Sequence, residues 1–426
     1  MTGIEYDDFI DTTYAPADDD LRCRFYLEPA DGMSPEAAAS RVASESSNGT
    51  WAALDVDADV ERLSALAFGL EPIDPRGRGG EEAYLVDVAY PAELFEAGSL
   101  AQILSCIAGN IMGMKAVDRI RLDDCEWPAT IVEGFPGPQY GVDVKRELLD
   151  ADDRPVTATV PKPKVGLPTD AHVEVGRQAW HGGIDLLKDD ENLTDQGFNP
   201  FEDRLVRSLE ERDRAEEATG ERKGYLINVT AETDEMIRRA ELVADHGGRF
   251  VMVDVITAGW SSVQTVREHC EDLGLAIHAH RAMHAAFDRL PTHGVSMRCL
   301  AQFSRLAGVD HLHTGTVGLG KLANEDTLGI NEWLTGDCHG LRGVLPVASG
   351  GLHPGLMPAL LDHTGTEIAV QAGGGIHGHP DGTGAGARAF RAAVDAAAAG
   401  EPIEDRADAV PELAVALEKW GTETPR

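Results

Sequence analysis

The chain has 426 residues, with 73 Asp and Glu against 37 Lys and Arg, a formal net charge of −36. So acidic a surface repels polyanions and anionic lipid faces, which excludes nucleic acid and membrane surfaces as partners. The start, MTGIEYDDFI, has no basic-then-apolar leader pattern, and no stretch approaches the roughly 18 apolar residues of a membrane span, so the expectation is a soluble cytoplasmic protein. The six cysteines form no CxxC pair, which suits a reducing compartment and gives neither a zinc nor a disulfide framework. Only eight basic residues are lysines, at 115, 145, 162, 164, 188, 223, 321 and 419. An acidic, lysine-poor surface fits a protein kept soluble in high salt, where carboxylate repulsion is screened over about 3 Å at molar ionic strength. An acidic sequence of merely compositional origin is the other reading.

Residues 1 to about 135 read as a mixed α+β domain. DLRCRFYLEP and EAYLVDVAYP alternate like half-buried strands. SPEAAASRVA opens with Ser34 as N-cap and Pro35 at the first helical position, which predicts a helix. AELFEAGSLAQILSCIAG is a second helix candidate with a glycine inside it, and EGFPGPQYGVDVKRELLDADDRP reads as a connection. Residues 136–426 change pattern. Eight short apolar runs follow, TATVPKPKVG, GGIDLLKDDE, GYLINVTAE, RFVMVDVITAG, LAIHAHRAMH, DHLHTGTVG, LPVASGGLH and IAVQAGGGIHG, separated by helical stretches such as AETDEMIRRAELVADHG and VSMRCLAQFSRLAG. Apolar strands alternating with helices predict a parallel sheet, and eight repeats in roughly 250 residues predict a closed (β/α)8 TIM barrel with a C-terminal helical tail.

The ends of these runs carry the unusual chemistry, as expected of the face on which barrels place active sites. Lys162, Lys164 and Lys188 lie there, and Lys321 sits in a glycine-bracketed segment, VGLGKLANED, able to act as a lid. In GGIDLLKDDENL, strand alternation puts Lys188 and Asp190 on one side, and Glu191 can swing inward as the strand finishes. Hard oxygen ligands at this density suit Mg2+, although a solvated acidic turn would look the same. GGGIHGHPDG follows a strand and precedes an alanine-rich helix, so Gly373 and Gly374 can bring backbone N–H groups to an anion; a tight packing turn is the alternative. With Ser349, Gly350 and Gly351 on the preceding run, they occupy the positions at which barrels often hold phosphate. Arg281 suits bidentate phosphate binding, and His280, His311 and His313 supply imidazoles. Together these clusters predict a Mg2+-dependent enzyme acting on a doubly phosphorylated small molecule with lysine acid/base chemistry.

With those residues assembled, the chain resembles the large subunit of ribulose-1,5-bisphosphate carboxylase/oxygenase (RuBisCO). GGIDLLKDDEN is similar to that family's activation and metal motif. VPKPKVGL, HRAMHAAF, HTGTVGLGKL, SGGLHPG and QAGGGIHGHPDG match its barrel motifs in order, and ESSNGTW and GNIMGMKA match two N-terminal ones. The resemblance implies a ferredoxin-like N-terminal domain. It implies carboxylation, with competing oxygenation, of ribulose 1,5-bisphosphate to 3-phosphoglycerate through a Mg2+-stabilised enediolate. Lys188, carbamylated by an activator CO2, would join Asp190 and Glu191 as metal ligands. The carbamate or Lys162 would move protons, with Lys164 nearby, and Lys321 would close over the substrate and steady the new carboxylate. His280 would contact hydroxyls, and Arg281 and His313 one phosphate. Gly351, Gly373 and Gly374 would hold the other with Thr50 and Trp51, while Ser349, next to Gly350, touches the substrate near the loop.

The family works as homodimers or rings of dimers with shared sites, so Glu45, Thr50, Trp51 and Asn110 would enter the neighbour's site. Val160-Pro161 before Lys162, and the eight positions from His313 to Lys321, resemble the archaeal form III branch. That branch is associated with nucleotide and ribose-phosphate salvage and works without a small subunit; a salt-adapted archaeal cytoplasm would also suit the acidity. One departure stands out: Ala323-Asn324 follow Lys321-Leu322 where the family usually has Glu-Gly, which removes a charge from the loop and leaves Glu45 as a partner for its lysine. The rival reading is a RuBisCO-like enolase or isomerase that fixes no CO2; a non-catalytic barrel would have no reason to keep lysines at its mouth.

Overall fold

The computed structural model describes residues 2–52, 54–77, 80, 82–320 and 326–423, so Lys321, Ala323 and Asn324 lie outside the described residues. The chain divides into two compact units, Met1–Pro136 with Met283–Leu306, and Gly137–Ala282 with Ala307–Arg426. The division is not contiguous, because Gly294–Val295 adds a strand beside Val117–Glu126.

In the first unit the order strand, helix, strand, strand, helix, strand runs through Leu21–Pro29, Pro35–Glu45, Leu66–Ile73, Ala83–Tyr90, Leu100–Ile107 and Val117–Glu126. Leu21–Pro29 pairs antiparallel with Val117–Glu126 on one side and Ala83–Tyr90 on the other, and Leu66–Ile73 pairs outside the latter. That is the split βαβ arrangement of ferredoxin-like domains. Leu21, Cys23, Phe25 and Leu27 are buried, while Arg24 between them is exposed. The first helix starts where expected: Ser34 Oγ accepts the Ala37 N–H at 3.2 Å and Pro35 follows it. The second helix candidate is shorter than its pattern. A 3-10 turn covers Ala92–Leu94, and the helix runs only over Leu100–Ile107, capped by Ser99. Gly98 between them has φ +75°, and a Cβ there would lie 2.7 Å from the Gly134 carbonyl oxygen, so the chain turns where a helix would have to continue. All six cysteines are free, and Cys23 and Cys125 face each other across two strands with sulfurs 3.7 Å apart.

The second unit is a closed barrel of eight parallel strands in sequence order. They are Val156–Thr159, Leu186–Lys188, Gly224–Asn228, Phe250–Asp254, Ala276–His280, His311–His313, Leu345–Ser349 and Ala369–Ala372. The eighth closes on the first with Ala369 opposite Val156. These runs are apolar without alternation because both faces are covered. Helices such as Phe201–Thr219 and Thr233–Asp245 alternate with them, and Ile403–Ala409 and Pro411–Trp420 form a helical tail. The segment read as a plain connection is partly core. Val144, Leu148, Leu149 and Ala151 pack with Val156, Leu186, Phe250, Leu345 and Ala369. Its short helical turns, Gly141–Asp143 and Val144–Glu147, bury the apolar side of VDVKRELL, a periodicity too brief to stand out among Pro, Gly and charge. No helix among the described residues is long and apolar enough to cross a membrane.

Candidate active site

Seven of the eight barrel strands end in a polar residue, the eighth ending in Ala372, and the second strand brings the densest set. Lys188, its last residue, is fully buried, and its Nζ donates to the Asp189 carbonyl at 2.8 Å and lies 4.0 Å from Glu191 Oε2. Burial pushes this ammonium toward the neutral amine, against the pull of Glu191, Asp254 and Asp190. The three successive carboxylates part company. Asp189 points into the helix layer, where Tyr225 Oη donates to it at 2.7 Å, Arg204 Nε at 3.2 Å and the Asn228 N–H at 3.1 Å, with His172 Nε2 at 3.3 Å. Burial alone would raise its pKa; Arg204, His172 and Tyr225 outweigh it and hold the carboxyl down at about 2. Asp190 turns to the other side, accepting from Asn192 Nδ2 at 2.9 Å and sitting 3.4 Å from Lys162 Nζ. Glu191 lies 3.7 Å from His280 Nε2.

Asp254, at the end of the fourth strand, was not singled out by the sequence, where it is one acid closing the apolar run RFVMVD. Its Oδ1 lies 2.9 Å from His280 Nδ1. Burial lifts its pKa to about 7 even though Lys188 opposes the rise. His280 is driven down to about 3, by burial first and then by Lys188. Asn228 Nδ2 donates to the Glu191 carbonyl at 3.3 Å.

On the far side of the barrel mouth, His313 Nδ1 lies 2.6 Å from Ser349 Oγ, and its Nε2 lies 2.8 Å from His278 Nε2, so both ring nitrogens are engaged within the protein. Arg281, directly after His280 in the chain, is buried. Gly350 and Gly351 take φ values of +110° and +91°, a turn that a side chain would strain. The glycine run after the eighth strand divides by role. A Cβ on Gly375 would lie 2.2 Å from the Leu352 carbonyl oxygen, and one on Gly373 would lie 2.9 Å from Lys162 Cε, whereas one on Gly374 would meet nothing within 4 Å. Gly375 is thus a packing glycine, and Gly374 leaves an open backbone face. His377 at the end of that turn lies 2.9 Å from Thr159 Oγ1, tying it to the first strand.

The structure therefore brings together Lys162, Lys188, Asp190, Glu191 and His280, and joins His313 to Ser349. Lys164 is exposed, two residues beyond Lys162. Glu45, Thr50, Trp51 and Asn110 belong to the first unit: Glu45 accepts from the Tyr6 hydroxyl, Trp51 is 82% exposed, and Asn110 opens a 3-10 turn. Among the described residues no three imidazole, thiolate or carboxylate groups gather as a metal-binding set. With Lys188 as an amine, the site offers the two carboxylates of Asp190 and Glu191; a carboxylated Lys188 would complete three hard oxygen donors, the chemistry that fits Mg2+.

Known proteins share the sequence and fold of this chain. Residues 8–131 match the ribulose bisphosphate carboxylase large chain N-terminal domain, and residues 141–420 match the large chain catalytic domain. Ribulose bisphosphate carboxylase of Pyrococcus furiosus is 51% identical over 99% of this chain and 99% of its own length, and that of Methanocaldococcus jannaschii is 44% identical over 97% and 100%. Among solved structures, the octameric ribulose-1,5-bisphosphate carboxylase/oxygenase of Pyrococcus horikoshii OT3 superposes with a TM-score of 0.93 at 49% identity, covering 99% of this chain and 98% of that one. The dimeric archaeal Rubisco of Hyperthermus butylicus gives 0.91 at 46%, covering 98% and 99%. Barrel, N-terminal domain and sequence all coincide across the full length, and the chain belongs to the ribulose bisphosphate carboxylase large-chain family.

Proposed function

We propose that the protein carboxylates ribulose 1,5-bisphosphate to 3-phosphoglycerate, with oxygenation as the competing reaction, after CO2 has converted Lys188 to a carbamate. The observation that carries this reading is the buried Lys188 Nζ beside Glu191, which burial biases toward the amine. A neutral amine has the lone pair needed to attack CO2, and the N–C bond forms as one proton leaves. The product is an oxygen ligand that joins Asp190 and Glu191 around Mg2+. When bound, Mg2+ supplies a Lewis acid beside the substrate carbonyl.

The chain's own groups then divide the work. The Lys188 carbamate accepts the proton at the substrate carbon next to the carbonyl, which makes that carbon pair nucleophilic toward CO2. Lys162, 3.4 Å from Asp190, returns a proton at the end of the sequence. His280 receives substrate hydroxyls while Asp254 on its other nitrogen fixes the ring. Arg281 meets one phosphate with His313 behind Ser349, and Gly351, Gly373 and Gly374 meet the other. Lys321 closes the site over the incoming carboxylate. Thr50 and Trp51, with Glu45 and Asn110, serve the neighbouring copy in a homodimer or ring of dimers without a small subunit, and the reaction works in salvage of nucleotide-derived ribose phosphates. The acidic surface supports working in concentrated salt.

The test is protein preincubated with Mg2+ and labelled bicarbonate in multimolar KCl, then given ribulose 1,5-bisphosphate. Acid-stable labelled 3-phosphoglycerate from the wild type, and none from Lys188→Ala, is the expected result. Substrate consumed without label would replace this reading with an enolase or isomerase.

A further inference from the structure

Three histidines stand in line on neighbouring strands of the barrel and end at Ser349. Nδ1 of His311 lies 3.3 Å from Nδ1 of His278, Nε2 of His278 lies 2.8 Å from Nε2 of His313, and Nδ1 of His313 lies 2.6 Å from Ser349 Oγ. All three rings are buried, and burial drives each below the ordinary imidazole value, so each is neutral and carries one N–H. A neutral chain of this kind has two possible directions.

If the Ser349 hydroxyl donates into the chain, the protons run toward His311 and its Nε2 must carry hydrogen. If His311 donates from Nδ1, its Nε2 holds only a lone pair, and the chain ends with His313 donating to Ser349. The far end decides between them. Among the described residues Nε2 of His311 has no hydrogen-bond partner, and the ring packed against it is Phe250, with centroids 6.1 Å apart. A buried N–H without an acceptor is rarer and more costly than a bare lone pair, so the direction leaving the lone pair is favoured.

We propose that His311 and His278 are positioning residues that run a one-way hydrogen-bond chain through His313 and turn the Ser349 hydroxyl proton toward an acceptor oxygen of the ligand. Neither touches the ligand. His313 links them to Ser349, with Nε2 toward His278 and Nδ1 toward the Ser349 hydroxyl. This deepens the proposed function, because it rests on Ser349 facing the substrate.

The experiment uses the full-length assembled protein, labelled with 15N-histidine and measured by solid-state NMR at neutral pH in KCl, with signals assigned by loss in His278→Phe and His311→Phe. The expected tautomers are hydrogen on Nδ1 of His311 and His313 and on Nε2 of His278. Steady-state kinetics then follow His278→Phe and His278→Gln, the latter keeping an amide N–H toward His313. Losing one hydrogen bond's worth of binding should raise KM for ribulose 1,5-bisphosphate about ten-fold in the Phe variant, with most of it restored in the Gln variant. Hydrogen on Nδ1 of His278, or Phe and Gln variants with the same KM, overturns the proposal. If wild-type protein consumes no ribulose 1,5-bisphosphate, the proposed function fails by itself, while the tautomer signals still decide the chain.

Discussion

At the scale of single residues, the run Asp189-Asp190-Glu191 shows how neighbours of one type acquire different tasks. Alternation along the second strand sends Asp190 to the barrel mouth and Asp189 into the helix layer, where Arg204, Tyr225 and Asn228 hold it. Arg204 is fully buried, so removing it strands a charge in the interior. Arg204→Met should cost about 3–5 kcal/mol and lower the melting temperature, with Asp189→Asn in the same background recovering part of the loss. Equal melting of the single and double variants would show that no unpaired charge had been relieved. The pairing of Lys188 with Asp190 on one side was readable from periodicity. The partners of Asp189 were not, since His172, Arg204 and Tyr225 come from three separate elements. Asp254 escaped for a related reason: an acid at a strand end is informative only once Lys188 and His280 are known to surround it.

At the scale of elements, the glycine run after the eighth strand combines a tight turn with an open backbone face. Sequence offered a packing turn and an anion-binding backbone as alternatives, and the packing turn is what Gly375 forms. Gly375 fits against the Leu352 carbonyl oxygen, while Gly374 leaves room for a ligand. Gly375→Ala should therefore lower stability by about 1–3 kcal/mol through overpacking. Gly374→Ala should melt like the wild type yet bind ribulose 1,5-bisphosphate more weakly, read as a raised KM. Unchanged KM in Gly374→Ala would remove that residue from the phosphate site. The eight barrel strands and the capped helix from Pro35 were legible because pattern and capping are local. The helical turns over Gly141–Glu147 were not, because four residues carry too little periodicity and their apolar side is defined only by the barrel they pack against.

At the scale of the whole molecule, the buried imidazoles set a pH limit. His280 and His311 are held down at about 3 and His377 at about 4, each chiefly by burial. In the unfolded chain the same groups take up protons near pH 6.5. The unfolded state thus binds more protons below that value, so stability is full above about pH 6.5 and is lost as pH falls toward 4. Each group costs about 1.4 kcal/mol per pH unit of that interval. Melting temperatures at fixed KCl should fall steadily from pH 6.5 to 5, because the depressed imidazoles outnumber Asp254, whose carboxyl, held up at about 7, works in the opposite direction; a rise on acidification over that range would mean that these rings are charged in the folded protein.

Local rules were enough to establish from sequence that the chain holds a (β/α)8 barrel after an α+β domain, with lysines and hard oxygen ligands at the strand ends. Strand period, helix capping and the order of motifs depend on neighbours along the chain, and they survive without coordinates. What only the tertiary structure decided is which polar groups meet across strands: the depressed Asp189, the raised Asp254, the division of labour among Gly373, Gly374 and Gly375, and the line of histidines to Ser349. Those properties arise from burial and from partners distant in sequence, and closure of the barrel brings both into being at once.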